Sequence, residues 1–325
     1  MIRVLAVTLL LLASEAALIP FVYLWPASTT AYCLLRAAYC SASTVSAQDR
    51  PLPDPETFYR VVRQNLTRAE RSQHLYTYKE RRTDIHTNPF GRLGTGGTSV
   101  FHVYPSPARR LSYRRLVERD GTPVPDQELA EQDREYRVRV NEVMRERALT
   151  ASDNRSAEQE SEAARQRQQR AIDDVINTLQ FQLKGRTTHE GVPAIVVAFT
   201  PNPNARPSTR QGRTAQKFTG TIWVDEAVLE VMRVEAKSTD DLTYGGGLVA
   251  RLDEGTRATV TRRRVGGDVW MPTALTLTGQ GRAVLFRKLV VDYAIEWFDY
   301  RRLPHESLTP FLDARVHGEA SRRPQ

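Results

Sequence analysis

Only two cysteines occur in the 325 residues, Cys33 and Cys40, and both lie ahead of residue 48. A chain cut after Ala47 therefore holds none. Such a domain has no disulfide staple, no thiol nucleophile and no Cys-ligated zinc. Lysine is scarce as well. Lys79, Lys184, Lys217, Lys237 and Lys288 are the only ones among 46 basic residues, so arginine carries the positive charge. Beyond residue 50 there is no internal repeat and no apolar run near the ~20 residues that a membrane-crossing helix needs. The marks of catalysis are missing too. None of the six histidines (His74, His86, His102, His189, His305, His317) forms H-E-x-x-H or H-x-H. Neither a G-x-S-x-G elbow nor a P-loop is present. Asp84 and His86 offer two ligands from one strand face, which is too few for a zinc site. Adjacent acids (Asp173-Asp174, Asp240-Asp241, Asp253-Glu254) point apart and read as caps and turn residues. No enzyme activity, cofactor or metal is expected on these grounds.

What is present is an ordinary globular composition, 40% hydrophobic and 26% charged, with one asymmetry at the N-terminus. Arg3 precedes an apolar run to about residue 25, and Val45-Ser46-Ala47 places small residues at −3 and −1 of a cut before Gln48. Residues 1–47 thus read as a secretory signal, or as one uncleaved anchor over about residues 4–25. Either reading exports the rest. Neither Cys33 nor Cys40 follows the small apolar residues that lipidation requires. Removing residues 1–47 takes away Arg3, Arg36 and Glu15 and lowers the formal net charge from +8 to +7. A basic exported chain points to anionic lipid headgroups or to no specific partner, and not to nucleic acid.

The exported part reads as one α+β domain over 48–302 with a flexible tail over 303–325. Residues 50–55 form a linker. A helix follows to about Glu70, with Phe58, Val61, Val62 and Leu66 on one face. The period then changes to two over residues 76–119, predicting a three-stranded meander that ends in the Asp120-Gly121 turn. NPFGRLGTGG (88–97) is a loop within it. Residues 126–180 are charged and almost free of glycine and proline, predicting a helical insertion. Asp126 caps its first helix, and Ser156 with Gln159 forms a capping box for a second, whose narrow stripe runs from Ala164 to Leu179. Residues 181–300 give about seven further strands, turning near Glu190-Gly191, Asp225-Glu226, Asp253–Gly255 and Gly266–Asp268. Short turns imply antiparallel pairing, and about ten twisted strands tend to curl. Arg262-Arg263-Arg264 alternates faces, so one of the three is expected inside, in need of a partner.

Alternation assigns Tyr76, Tyr78, Leu111, Tyr113, Ile222, Val224, Met232, Val234, Leu275, Leu277, Tyr293 and Ile295 to inward faces. Most of these serve a dry core. A curled sheet only half filled by helices would leave the remainder as an apolar groove for an acyl chain.

Three segments carry a resemblance: Gly220–Asp225 (G-x-I-W-V-D), Val231–Glu235 (V-x-R-V-E) and Val265–Pro272 (V-G-G-x-x-W-x-P). Together with Phe181–Ala194, which follows the charged insertion, they resemble the bacterial outer-membrane lipoprotein-sorting proteins of the LolA/LolB-like superfamily, above all its uncharacterised exported members. The resemblance covers about 120 residues of the C-terminal half. It implies an unclosed antiparallel half-barrel packed around helices, a periplasmic location, and a cavity that receives acyl chains of lipids or lipoproteins. The function expected from it is a non-enzymatic lipid- or lipoprotein-binding protein. The alternative is an envelope regulator or scaffold that binds a membrane or envelope protein through the 126–180 helices.

Overall fold

A computed structural model gives the fold and describes residues 50–83, 92–93, 97–151, 166, 170–244, 250–267, 269–283, 287–305 and 307–314. The expected signal or anchor, Asp84, His86 and the Ser156 capping box lie outside the described residues.

The architecture is α+β. Five strands precede the helical insertion: β1 (Tyr76–Thr83), β2 (Arg92–Leu93), β3 (Thr98–Tyr104), β4 (Tyr113–Arg119) and β5 (Thr122–Pro123). Nine follow it: β6 (Leu179–His189), β7 (Val192–Pro201), β8 (Phe218–Asp225), β9 (Val231–Ser238), β10 (Leu242–Tyr244), β11 (Ala250–Leu252), β12 (Arg257–Val265), β13 (Val269–Ala283) and β14 (Arg287–Arg302). The helices are α1 (Pro55–Ser72), α2 (Asp126–Ala151), α3 (170–177) and α4 (Arg210–Ala215). The strands beyond the expected ten are pieces of two or three residues that periodicity does not register.

The fourteen strands of the described residues form one sheet, eleven of them in the order β5-β4-β3-β1-β14-β13-β12-β9-β8-β7-β6, with β2 joined to β14, β11 to β13 and β10 to β11 beside this path. Every pairing is antiparallel except that of β2 with β14. The last strand therefore sits between the first and the thirteenth, and β5 and β6 end the path unjoined. The helical insertion carries the chain from one of these ends to the other. Asp120-Gly121 (φ 51° and 76°) and Glu190-Gly191 (φ 48° and 83°) make the two tightest hairpin turns, where both central residues need left-handed backbone.

Burial requires the sheet to curl. A single row of paired residues runs Leu183, Val197, Ile222, Val234, Val260, Leu275, Ile295 across seven strands. At ~4.8 Å per strand this face is roughly 29 Å wide, while a helix is about 10–12 Å across. Yet the six residues from Val197 to Ile295 are all buried in one apolar cluster with Phe58, Val62 and Leu66 of α1 and Val175 of α3. Two helices cover such a face only if the sheet wraps around them, which makes this an unclosed half-barrel. Asp54 starts α1 by accepting the Thr57 amide at 2.9 Å. Asn65, buried on its inner face, donates to the Val228 and Leu229 carbonyls (2.9 and 3.1 Å) and ties the helix to the β8–β9 turn.

α2 packs on the opposite face. Arg82 faces Ile295 across β1 and β14, and the ladders carry that face through Phe101 and Val103 to Arg114. The neighbours Tyr113 and Arg115 therefore point outward. There Asp133 of α2 accepts from the Tyr113 hydroxyl (2.9 Å) and from Arg115 Nε (2.8 Å), and Tyr136 stacks on Tyr113 at 4.2 Å. Phe311, in the helical turn at 310–314, is buried against the same two rings, so this stretch of the expected tail is packed. Gln132 exchanges two hydrogen bonds with the Leu116 backbone and occupies the free edge of β4 as a further strand would.

Candidate functional site

The motif segments take their shape from close packing. A Cβ on Gly220 would lie 1.9 Å from the Glu235 carbonyl oxygen and 2.6 Å from the Phe199 ring, so only glycine fits there. Asp225 ends the same strand by accepting the Ala227 and Val228 amides (2.8 and 3.1 Å). Of the three consecutive arginines, Arg262 turns inward. It reaches Glu230 Oε2 (3.3 Å) and the carbonyls of Val231 (3.2 Å) and Trp270 (2.8 Å). Arg263 and Arg264 are exposed and bond Glu190 and the Gly267 carbonyl. Burial pushes Arg262 down and Glu230 up, and each partner's charge opposes the shift of the other. The buried pair joins β12 to the start of β9.

Beside this framework lies an apolar cavity of about 300 Å³. Phe58, Tyr59, Arg60, Val62, Arg63 and Leu66 of α1 form one wall, Ile176 of α3 another, and Phe181, Val197, Ile222 and Val224 the floor on β6, β7 and β8. Of these only Arg60 and Arg63 are exposed. Arg63 pairs with Asp173 of α3, joining the two helices beside the cavity. α3 is held from behind. Asp174 accepts from the Ser208 and Thr209 amides (3.1 and 2.8 Å) and from the Thr209 hydroxyl (2.6 Å). Burial would raise its carboxyl, but the bonds from Thr209 and Ser208 prevail and hold it below the usual range.

Two of the twelve residues assigned inward by alternation, Ile222 and Val224, line this cavity. Val234, Leu275, Tyr293 and Ile295 sit in the main core, and Leu277 packs against it. Met232 and Tyr76 are buried, and Tyr78 lies tilted against Tyr300 at 5.2 Å, its hydroxyl pushed up by burial and by Glu80. Leu111 and Tyr113 lie in the separate cluster under α2. Sequence reasoning passed over Phe181 and Val197 as lining residues and read Phe58, Val62 and Leu66 as a packing stripe. Periodicity reports that a side chain is buried, not whether another atom touches it.

Among the described residues no group of His, Cys, Asp and Glu is arranged to hold a metal ion, and no helix is long and apolar enough to cross a membrane. No protein-family model matches the chain, and neither does any curated protein. Three solved structures are similar. One is a Vibrio parahaemolyticus domain named for outer membrane lipoprotein sorting, at TM-score 0.31 and 8% identity, covering 81% of this chain and 99% of its own. A DUF1329 family protein from Desulfovibrio piger gives 0.27 and 11%, covering 78% and 96%. A LolA superfamily protein from Nitrosomonas europaea gives 0.24 and 9%, covering 74% and 94%. Likeness at these TM-scores says nothing about what the chain binds.

Proposed function

We propose that this chain is a non-enzymatic periplasmic protein that holds an acyl chain of a lipid or lipoprotein, as in outer-membrane lipoprotein sorting. The observation that carries the reading is the apolar cavity of about 300 Å³ between α1, α3 and β6–β8. Natural cores are packed to crystal density, and voids much larger than a water molecule are few. An apolar hole of about 150 Å³ is enough to take up benzene. Each methylene that enters gains about 0.8 kcal/mol. Arg60 and Arg63 on the exposed side would meet the polar end of the guest.

The test compares two equally buried positions. Ile222 lines the cavity, whereas Leu275 lies in the same core away from it. Uptake of dodecanoate by the full chain is read by native mass spectrometry for the wild type, Ile222→Thr and Leu275→Thr. Each substitution is expected to cost ~2 kcal/mol of stability. Only Ile222→Thr is expected to weaken uptake. Equal weakening by both would make the effect one of folding, and no uptake by the wild type would turn attention to α2 as a protein-binding surface.

A further inference from the structure

We infer that Arg82 and Arg114 form a binding site for an oxyanion, a phosphate or a carboxylate, on the concave face of β1, β3 and β4. The site is separate from the apolar cavity and independent of the acyl-chain reading. None of its residues lines the cavity, and Arg82 closes the row of paired residues whose far end is Leu183.

Phe101 sits between the two arginines. The Arg82 guanidinium lies 4.5 Å from its ring centroid and that of Arg114 lies 4.9 Å away. The two cations are thus within about 10 Å of each other, inside a Debye length, and they repel. The nearest carboxylate balances only one of them. Glu80 is buried, and both its oxygens are taken: Oε1 by Arg114, Oε2 by Trp297 Nε1 at 3.2 Å. The next carboxylate along β14, Glu296, belongs to the other face and pairs with Arg81 at 2.9 Å. Arg82 has no ion pair among the described residues, and its contacts are the Phe101 ring and the Tyr293 hydroxyl.

A guanidinium packed over an aromatic ring keeps edge donors for a planar or tetrahedral anion. Glu80 and Trp297 fix Arg114 without neutralising its neighbour. Among the described residues one unit of positive charge is left in a half-buried aromatic setting, where a charge-assisted bond is stronger than in water. If the arginines served only to cover Phe101, one of them would suffice, and the repulsion of the second would have no return.

The test is calorimetry on the full chain at low salt, with inorganic phosphate and hexyl phosphate as probes. The variants are Arg82→Gln, Arg82→Lys and, as a control at an exposed arginine paired with Glu190 away from both sites, Arg263→Gln. Arg82→Gln leaves both Glu80 contacts in place, so the fold is retained, as urea unfolding checks. It is expected to weaken binding about tenfold or more, through loss of charge-assisted hydrogen bonds. Arg82→Lys keeps the charge without the fork and should fall between, and Arg263→Gln should bind as the wild type. Binding of inorganic phosphate means that the oxyanion itself is read. Binding of hexyl phosphate alone, weakened by Arg82→Gln, means a lipid headgroup. No binding of either probe, or unchanged binding by Arg82→Gln, overturns the site. Equal weakening by Arg263→Gln also overturns it, since binding would then follow net charge and not this pair of arginines.

Discussion

Buried charge is handled one residue at a time. Glu80, Asp133, Glu230 and Arg262 are all nearly inaccessible, and each has a charged partner or several donors. His102 solves the same problem by staying neutral. Its Nδ1 bonds the Tyr104 hydroxyl at 2.9 Å and its ring lies 4.3 Å from that of Tyr104. Burial first, and Lys79 second, push its pKa down to about 4. In the unfolded chain it titrates near 6.5. As the pH falls through 6.5 the unfolded state takes the proton before the folded state does, so stability is full above that value and lost progressively toward about pH 4. Since the ring is partly exposed, solvent screening brings the loss to roughly 1–2 kcal/mol. Urea unfolding at pH 7.5 and 4.5 should show the wild type losing that much more than His102→Gln. Equal losses would mean that His102 titrates normally.

At the scale of elements, α1 was legible and α2 only half so. α1 has apolar residues at Phe58, Val62, Leu66 and Ala69, a spacing that gives both its existence and its buried face. α2 was legible as a helix from its composition, but it grips the sheet through Tyr136, Val140 and Val143 together with the polar Asp133 and Gln132. With Asp133 and Gln132 among its anchors, the apolar stripe shrinks to Tyr136, Val140 and Val143, and the exposed Val138 and Met144 blur it. The strands pose a related limit. Alternation tells which residues of one strand share a face, not which face is the concave one, and nothing in the Tyr113 segment shows that α2 waits on its side. Because Asp133 holds both Tyr113 and Arg115, Asp133→Ala strands a half-buried guanidinium and a buried hydroxyl. The expected cost is ~3 kcal/mol. Amide hydrogen exchange should quicken across α2 and at Leu116 while the β7–β8 ladder keeps its protection. Uniform quickening would mean that α2 and the main sheet open as one unit.

For the molecule as a whole, the fold and the cavity are consequences of one geometry. A sheet this wide buries its concave face only by curling, and α1 with α3 must then fill the space inside. The filling is incomplete beside β6–β8, where about 300 Å³ stays open next to Phe58, Val197 and Ile222. Sequence pattern conveyed the curl, since strand number and short turns require it. It could not convey the hole, which depends on how far α1 stands from the sheet, a distance set by Asn65 on the β8–β9 turn and by Arg63 on Asp173. Apolar wall left facing such a space forgoes about 25 cal/mol for each Å² that is not buried. A protein retains such a cost where the space serves a guest. Val197→Phe places a ring in the hole from the floor. If the cavity is empty in the resting chain, this variant should be more stable by about 0.5–2 kcal/mol and should take up no dodecanoate, stability and uptake moving in opposite directions. A drop in stability with uptake retained would show that the walls close on Val197 without a guest, and that the open volume is reached from elsewhere along α1.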